Sequence, residues 1–214
     1  MKKENRPIGQ IGIDESGKGD YFGPLVIAGV YASAEQEVQL QEAGVRDSKT
    51  LTDKRATTLS EYIRRTCPYT VVAIGPERYN SMYSSFKNLN RLLAWGHARA
   101  IENLLEVVSC ERVVADQFGD ERFLNNALMK KGQSVQLIQK PRAEVEIAVA
   151  AASIVARAEF LQRLQDLGGK YALSLPKGAS AVISVGKAFV RKHGREALGE
   201  VAKLHFRTTE KVLG

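Results

Sequence analysis

Apolar residues along this chain follow two different spacings. Short continuous apolar runs between turn residues predict buried strands, and they lie at 11–13, 25–31, 69–74, 112–116 and 134–139. Apolar positions that recur every three or four residues predict amphipathic helices. These helices are expected from residue 52 or 53 to about 65, over 88–108, over 120–131, from 147 to about 167, and over 189–202.

Glycine, proline and polar residues mark the ends of these elements. Gly168 and Gly169 are expected to end the helix that begins at residue 147, and Gly194 to interrupt the last one. Residues 76–87 read as an aromatic, serine-rich loop and 170–180 as a basic, turn-rich segment. Residues 1–10 are predicted to be a flexible N-terminus, and 11–214 one domain with a C-terminal helical portion.

Composition narrows the functional classes. In 214 residues, 44% are hydrophobic and 26% charged, which is ordinary for a globular domain. No apolar run reaches the ~18 residues that cross a bilayer, and the N-terminus lacks the apolar core of a signal peptide. Cys67 and Cys110 have no metal-ligand spacing and make no disulfide framework. Together with the lack of a long apolar run and of a signal peptide, this predicts a cytoplasmic protein without membrane contact. The net charge of +7 favours a polyanionic partner.

Residues 12–24, GIDESGKGDYFGP, carry the most chemistry. The first apolar run ends in two adjacent carboxylates, Asp14 and Glu15, and the Gly17-Lys18-Gly19 turn follows. Neighbouring carboxylates repel each other, and a divalent metal is the commonest reason for a fold to hold them together. Glycines let backbone N–H groups approach a phosphate, and a lysine adds positive charge. This combination indicates phosphodiester chemistry.

Other interpretations of this stretch are open at this point. The same residues are ordinary in a hairpin turn. They match neither a P-loop nor a dinucleotide fingerprint. A second short strand, 112–116, also ends in a carboxylate, Asp116. If the two strands are neighbours in a mixed sheet, Asp116 lies near Asp14 and Glu15, as a two-metal site requires.

The sequence GIDESGKGDYFGPLVIAG resembles the opening motif of type 2 ribonucleases H, and Asp-Tyr-Phe-Gly-Pro resembles the ribonuclease HIII branch. Two further motifs agree in order: Asp47-Ser48-Lys49, and KPRAE followed by AAASIVAR. The resemblance implies an α/β, RNase H-like fold, in which helices flank a central mixed sheet and further helices follow at the C-terminus.

The resemblance also implies the site. The expected catalytic residues are Asp14, Glu15, Asp116 and Glu144, of which Asp14, Glu15 and Asp116 hold the metal. Glu146 competes with Glu144 for the fourth position. The expected substrate-binding residues are Gly17, Lys18, Gly19, Ser48, Lys49, Asn88, Asn90 and Lys177. Arg91 and His97 are further candidates, although a helix histidine is more often solvated or satisfied than catalytic.

The implied activity is endonucleolytic hydrolysis of the RNA strand of RNA–DNA hybrids, with two Mg²⁺ or Mn²⁺ ions, and the protein is expected to be a monomer. The products would carry 5′-phosphate and 3′-hydroxyl ends. A basic face is expected to bind the nucleic-acid backbone, and its residues are Lys177, Lys187, Arg191, Lys192, His193, Lys203 and Arg207. Incision at single ribonucleotides, as in ribonuclease HII, a metal-dead hybrid-binding module and another metal-dependent nuclease are the alternatives.

Two features depart from the family pattern. Ribonucleases HIII usually carry an N-terminal substrate-binding domain similar to the TATA-binding protein, whereas about ten residues precede the motif here. Hybrid binding is therefore expected to come from the nuclease domain itself or its basic C-terminal part. Ribonucleases HII recognise an isolated ribonucleotide with a tyrosine late in the chain, and Tyr171 has no confident match to it.

Overall fold

A computed structural model describes residues 9–46, 48–179 and 182–214. Within these residues, five strands form one mixed sheet in the order β3-β2-β1-β4-β5. The strands are β1 (Gln10–Ser16), β2 (Leu25–Ala32), β3 (Tyr69–Ile74), β4 (Arg112–Asp116) and β5 (Gln136–Lys140). Strands β1, β2 and β3 pair antiparallel, and β4 and β5 continue parallel to β1. The predicted mixed sheet is confirmed.

Helices cover both faces of this sheet. They are α1 (Ala34–Glu42), α2 (Asp53–Thr66), α3 (Pro76–Phe86), α4 (Leu89–Leu105), α5 (Glu121–Ala127), α6 (Ile147–Lys170), α7 (Ile183–His193) and α8 (Thr208–Leu213). Short 3-10 turns lie at Ser48–Thr50, Gly132–Ser134, Ala143–Val145 and Glu196–Glu200. Among the described residues, no helix is both long and apolar enough to span a bilayer.

Successive side chains along each strand point to opposite faces of the sheet, so the core has two layers. Val26, Ala28 and Val30 of β2 pack with α6 and α2 on one face. Leu25 and Ile27 pack with α4 on the other face. Because side chains alternate in the same way along β1, two adjacent residues at its end are directed toward different helices.

The local boundaries differ from the prediction in several places. Helix α1 was not predicted, α5 ends at Ala127 instead of 131, and α7 begins at Ile183 instead of 189. Residues 76–87 form helix α3 rather than a loop, with Pro76 in its first turn and Lys87 as its left-handed cap. Helix α6 continues through Gly168 and Gly169 to Lys170 instead of ending before them. Strand β1 begins at Gln10, inside the predicted flexible segment, and residues 1–8 lie outside the described part.

Gly12 allows α6 to lie directly on β1. A Cβ at this position would sit 2.1 Å from the backbone carbon of Ala148 and 2.2 Å from the nitrogen of Val149. The alanines at the start of α6, Ala148 and Ala150–152, are fully buried. Small residues on both sides therefore bring the helix backbone close to the strand that ends in Asp14 and Glu15.

We expect Gly12→Ala to lower the free energy of unfolding by ~3 kcal/mol or more, because the neighbouring atoms belong to backbone and cannot rotate away. Urea unfolding followed by circular dichroism measures this change. Gly75→Ala is the matched control, since nothing lies within 4 Å of its added Cβ. Equal stability of the two variants would contradict the close packing.

Candidate active site

Asp14 and Glu15 end strand β1 on opposite faces of the sheet. Asp14 shares the face of Gly12 and is hydrogen-bonded to Ser153 of α6. Glu15 is directed toward α4, where its Oε2 lies 3.0 Å from Nε2 of His97. The two adjacent carboxylates therefore have different surroundings.

The neighbours of Asp14 include two other acids, Glu15 and Asp116, and the hydroxyl of Ser153. Burial, followed by the charge of Glu15, raises the pKa of Asp14 to about 8, against weaker effects of the Ser153 hydrogen bond and the Glu15 N–H. Its Oδ1 accepts that N–H at 2.8 Å. Ser153 is fixed in turn by Ser48, whose hydroxyl lies 2.7 Å away in the protein interior. Asp14 is thus held in place, while its negative charge is uncompensated.

Glu15 is compensated by its neighbours. Burial alone would raise the pKa of Glu15, but the hydrogen bond to His97 and the charge of Lys18 outweigh burial and lower it. Lys18 Nζ lies 3.2 Å from Glu15 Oε1. His97 is fully buried, and its Nδ1 has no hydrogen-bond partner among the described residues. His97 is therefore a buried helix histidine whose Nε2 orients Glu15.

Asp116 reaches the same edge of the sheet from β4. The parallel register places Ile13 beside Ala115. The next residues of the two strands, Asp14 and Asp116, therefore lie at the same edge. Asp116 Oδ1 accepts the Ala143 N–H at 2.9 Å. Burial first, and then the charges of Glu144 and Glu15, raise the pKa of Asp116 despite that hydrogen bond.

Glu144 and Glu146 have different partners although two positions separate them. Glu144 is close enough to Asp116 to raise its pKa, and its Oε1 lies 3.3 Å from Nζ of Lys49. Glu146 is bound at 2.5 Å by Lys140 and also accepts a hydrogen bond from Gln10. The Lys140 hydrogen bond is the main cause that lowers the pKa of Glu146.

A cleft of about 430 Å³ opens at this edge. Asp14, Glu15 and Asp116 line it together with the Gly17-Lys18-Gly19 turn. Gly17 has φ +86°, and an added Cβ would lie 2.2 Å from the carbonyl oxygen of Pro24, so the turn itself requires this glycine. Nothing lies within 4 Å of a Cβ added at Gly19, which is exposed. The cleft therefore has open space beside Gly19, and the packing of the protein does not require a glycine at this position.

The remaining predicted binding residues fall into two groups. Ser48, Lys49 and Lys177 line the same cleft, whereas Asp47 lies outside the described residues. Asn88 and Asn90 begin helix α4. The Asn88 side chain accepts the N–H groups of Asn90 and Arg91 and so caps the helix, and the Asn90 side chain packs against Gly119, which follows β4.

Two residues that line the cleft, Ser153 and Arg157, were not predicted as site residues, and neither was Asp53, which holds two of the cleft cations. Ser153 contacts Asp14, and Arg157 lies one turn further along α6, where it donates to the Ser48 carbonyl. The Asp53 carboxylate forms ion pairs with Arg157 at 2.6 Å and with Lys177 at 2.5 Å. A polar residue four positions before a basic one, on an otherwise apolar helix, was the available signal.

Lys203, predicted to lie on the basic surface, is fully buried, and that prediction is wrong. A flexible lysine is usually solvated, so charge alone suggested the surface. The buried position depends on backbone carbonyls that are distant in the sequence.

The acids suit a divalent cation by chemistry, since hard cations prefer carboxylate oxygens. Burial and mutual repulsion raise the pKa values of Asp14 and Asp116, and a cation would relieve both effects. Over residues 9–46, 48–179 and 182–214, no three His, Cys, Asp or Glu side chains already converge as a metal cage. Carboxylates that repel one another have no reason to converge without a cation.

The sequence profile of the ribonuclease HII family matches residues 11–209. The chain belongs to the ribonuclease HII family. The predicted resemblance to type 2 ribonucleases H is confirmed, and the protein is a hydrolase of this class.

Relatives of this ribonuclease H include the ribonuclease HIII of Protochlamydia amoebophila, 51% identical over 95% of this chain and 68% of the relative. The ribonuclease HIII of Chlamydia felis is 47% identical over 95% of this chain and 69% of its own length. The crystal structure of Bst-RNase HIII in complex with Mn²⁺ superposes with a TM-score of 0.89 at 33% identity, covering 96% of this chain and 69% of that one. The RNase H-like fold and the likeness to ribonuclease HIII are confirmed.

We expect Asp14→Asn to stabilise the metal-free ribonuclease at pH 8. A raised pKa means that the folded state keeps a proton on Asp14 that the unfolded chain releases, so the free energy of unfolding falls as pH rises from about 4 to 8. A neutral asparagine removes this penalty, by ~2 kcal/mol or more at pH 8 and by less at pH 5.

Urea unfolding in EDTA at both pH values measures this difference, and Asp166→Asn on the exposed side of α6 is the control. Added Mn²⁺ should then stabilise the wild type and the control but not Asp14→Asn. A metal-free Asp14→Asn variant no more stable than wild type at pH 8 would contradict the assignment of an uncompensated buried charge.

Proposed function

We propose that this protein cuts the RNA strand of RNA–DNA hybrids and leaves 5′-phosphate and 3′-hydroxyl ends, using divalent metal held by Asp14, Glu15, Asp116 and Glu144. The observation that carries the proposal is that half-buried acids from β1 and β4 line one cleft together with the Gly17-Lys18-Gly19 turn. Family membership supports the reaction class.

The metal is Mg²⁺ or Mn²⁺ in this proposal, and the Mn²⁺ complex of Bst-RNase HIII supports manganese. Bound divalent metal supplies an activated water and offsets negative charge on the departing 3′-oxygen. Asp14 and Asp116 offer oxygens whose negative charge is disfavoured by burial and by the neighbouring acids. His97 orients Glu15, and the Ser48–Ser153 pair keeps Asp14 facing the cleft.

The glycine turn is proposed to select RNA. Discrimination from DNA requires contact with the 2′-hydroxyl. Backbone groups at the open Gly19 position can approach a ribose closely, because no protein atom fills that space. Lys18 and Lys49 place positive charge beside the acids, which suits a phosphate backbone. Lys177 is fixed by Asp53 at the rim of the cleft.

Two alternatives from the sequence have less support. Tyr171 caps the far end of α6, roughly 27 Å from Ser153 at about 1.5 Å per residue, so it does not suit recognition of a ribonucleotide at the acids. Its hydroxyl is also bonded to Glu200. A metal-dead module would not need uncompensated acids in an open cleft.

Monomeric state stays a prediction, and the free Cys67 and Cys110 support a reducing cytoplasm.

Cleavage of three end-labelled duplexes tests the proposal: an RNA–DNA hybrid, DNA with four consecutive ribonucleotides, and DNA with one ribonucleotide. With Mg²⁺ or Mn²⁺ we expect cutting of the first two, abolished by EDTA and in Asp14→Asn. Efficient cutting at the single ribonucleotide would indicate ribonuclease HII-like specificity. Binding of the hybrid without any cutting would favour the binding-module alternative and overturn the hydrolase proposal.

Substitution of the two competing glutamates tests the fourth acid. Glu144→Gln should lower kcat by ~100-fold or more, because it removes a charge that acts on Asp116. Glu146→Gln should keep kcat within about three-fold, because Glu146 is already paired with Lys140. Steady-state cleavage of the hybrid at saturating metal measures both. The reverse order of effects would assign the role to Glu146.

A further inference from the structure

Lys203 carries an amine that is fully buried. Its Nζ donates to the carbonyl oxygens of Asp20 and Gly23, each at 2.8 Å. The Tyr79 ring lies 5.7 Å from the same nitrogen. Among the described residues, no carboxylate forms an ion pair with Lys203, and burial lowers the pKa of this amine to about 7.

The backbone around Lys203 holds the same stretch of chain. Lys203 N–H donates to the Tyr21 carbonyl, and the Gly23 N–H donates to the Val201 carbonyl, both at 2.9 Å. Phe22 and Ala202 form a β-bridge between these bonds. Residues 201–203, named here the clamp segment, therefore lie antiparallel to residues 21–23.

Residues 20–23 continue directly from the Gly17-Lys18-Gly19 turn. Asp20 N–H donates back to the Gly17 carbonyl at 3.3 Å, which closes the turn. On the other side, the Asp20 carboxylate accepts the Gly178 N–H at 2.6 Å. A movement of Asp20 or Gly23 would consequently displace the turn that faces the cleft.

Burial of an amine costs free energy that an apolar side chain of the same length would avoid. The clamp segment already has backbone hydrogen bonds and buried apolar residues, Val201 and Ala202, to hold it. What the amine adds is two directed hydrogen bonds, one to each end of the stretch that follows the turn. This addition favours a role in placing the turn over a role in packing.

We propose that Lys203 is a positioning residue for the reaction, which fixes the Gly17-Lys18-Gly19 turn against the substrate through the carbonyls of Asp20 and Gly23. The inference rests on the proposed function, since the turn is taken to contact the ribonucleotide strand. Lys203 itself does not line the cleft, and it reaches the lining only through the carbonyl of Asp20.

Lys203→Met tests this role, because methionine has similar length and no N–H donor. Lys203→Gln keeps two donors on a neutral group. Leu104→Ala is the control: Leu104 is fully buried beside Gly29, away from the cleft, and its truncation destabilises by ~2–5 kcal/mol through a cavity. Hybrid cleavage is measured at a temperature at which each variant is folded by circular dichroism.

We expect kcat to fall on the order of ten-fold or more in Lys203→Met, because small misplacement of a bound group is costly for the reaction. KM should stay within about three-fold, since the cations of the cleft rim remain. Lys203→Gln should be intermediate, and Leu104→Ala should keep the wild-type kcat. Wild-type kcat in Lys203→Met, or an equal loss in Leu104→Ala, would overturn the proposal.

If Lys203→Met does not fold, Lys203→Gln decides by the same comparison: a kcat equal to that of folded Leu104→Ala overturns the role. Hydrogen exchange of the amides at Lys18 to Asp20 is the second readout. Protection there should fall in the Lys203 variants and not in Leu104→Ala. Because this readout needs no substrate, it separates failure of the clamp from failure of the proposed function, which an inactive wild type would indicate.

Discussion

The contact between Gly12 and the first turn of α6 is the constraint on which the rest of this structure depends. Since no side chain separates the backbone of β1 from Ala148, the helix lies low on the sheet. Ser153 consequently reaches Asp14, and Arg157 reaches the turn that holds Ser48. The parallel pairing of β1 with β4 adds Asp116 to the same edge. Packing of small residues thus assembles polar groups that are distant in sequence.

The two acids at the end of β1 illustrate how position on a strand sets chemistry. Glu15 is directed toward α4, where it contacts His97, whereas Asp14 is directed toward α6, where it contacts the hydroxyl of Ser153. One carboxylate is therefore stabilised as an anion by the protein, and its neighbour is left for an external cation. Although the cleft is acidic, the chain as a whole carries a net charge of +7, which suits a polyanionic substrate.

Much of the fold followed from apolar spacing, because the strands are buried runs and α4 and α6 have strong helical periodicity. Helix α3 was missed since its serines are turn residues, yet Ser84 and Ser85 satisfy their hydroxyls on carbonyls one turn earlier. The acids could be predicted from strand ends and the family motif. The contacts of His97 and Ser153 with these acids could not be predicted, and neither could the buried position of Lys203. Contacts with residues that are distant in the sequence leave no periodic signal along the chain.

The bridge between residues 21–23 and 201–203 joins parts of the chain that are synthesised at very different times. The Lys203 bonds span 183 and 180 positions, among the most distant pairs in the fold. A growing chain emerges from its N-terminus, so β1 and its acids exist long before the clamp segment. Contacts of such sequence separation also form slowly. The native contacts that hold the turn accordingly require residues 201–203, whereas strand β1 and its two acids are encoded near the start of the chain.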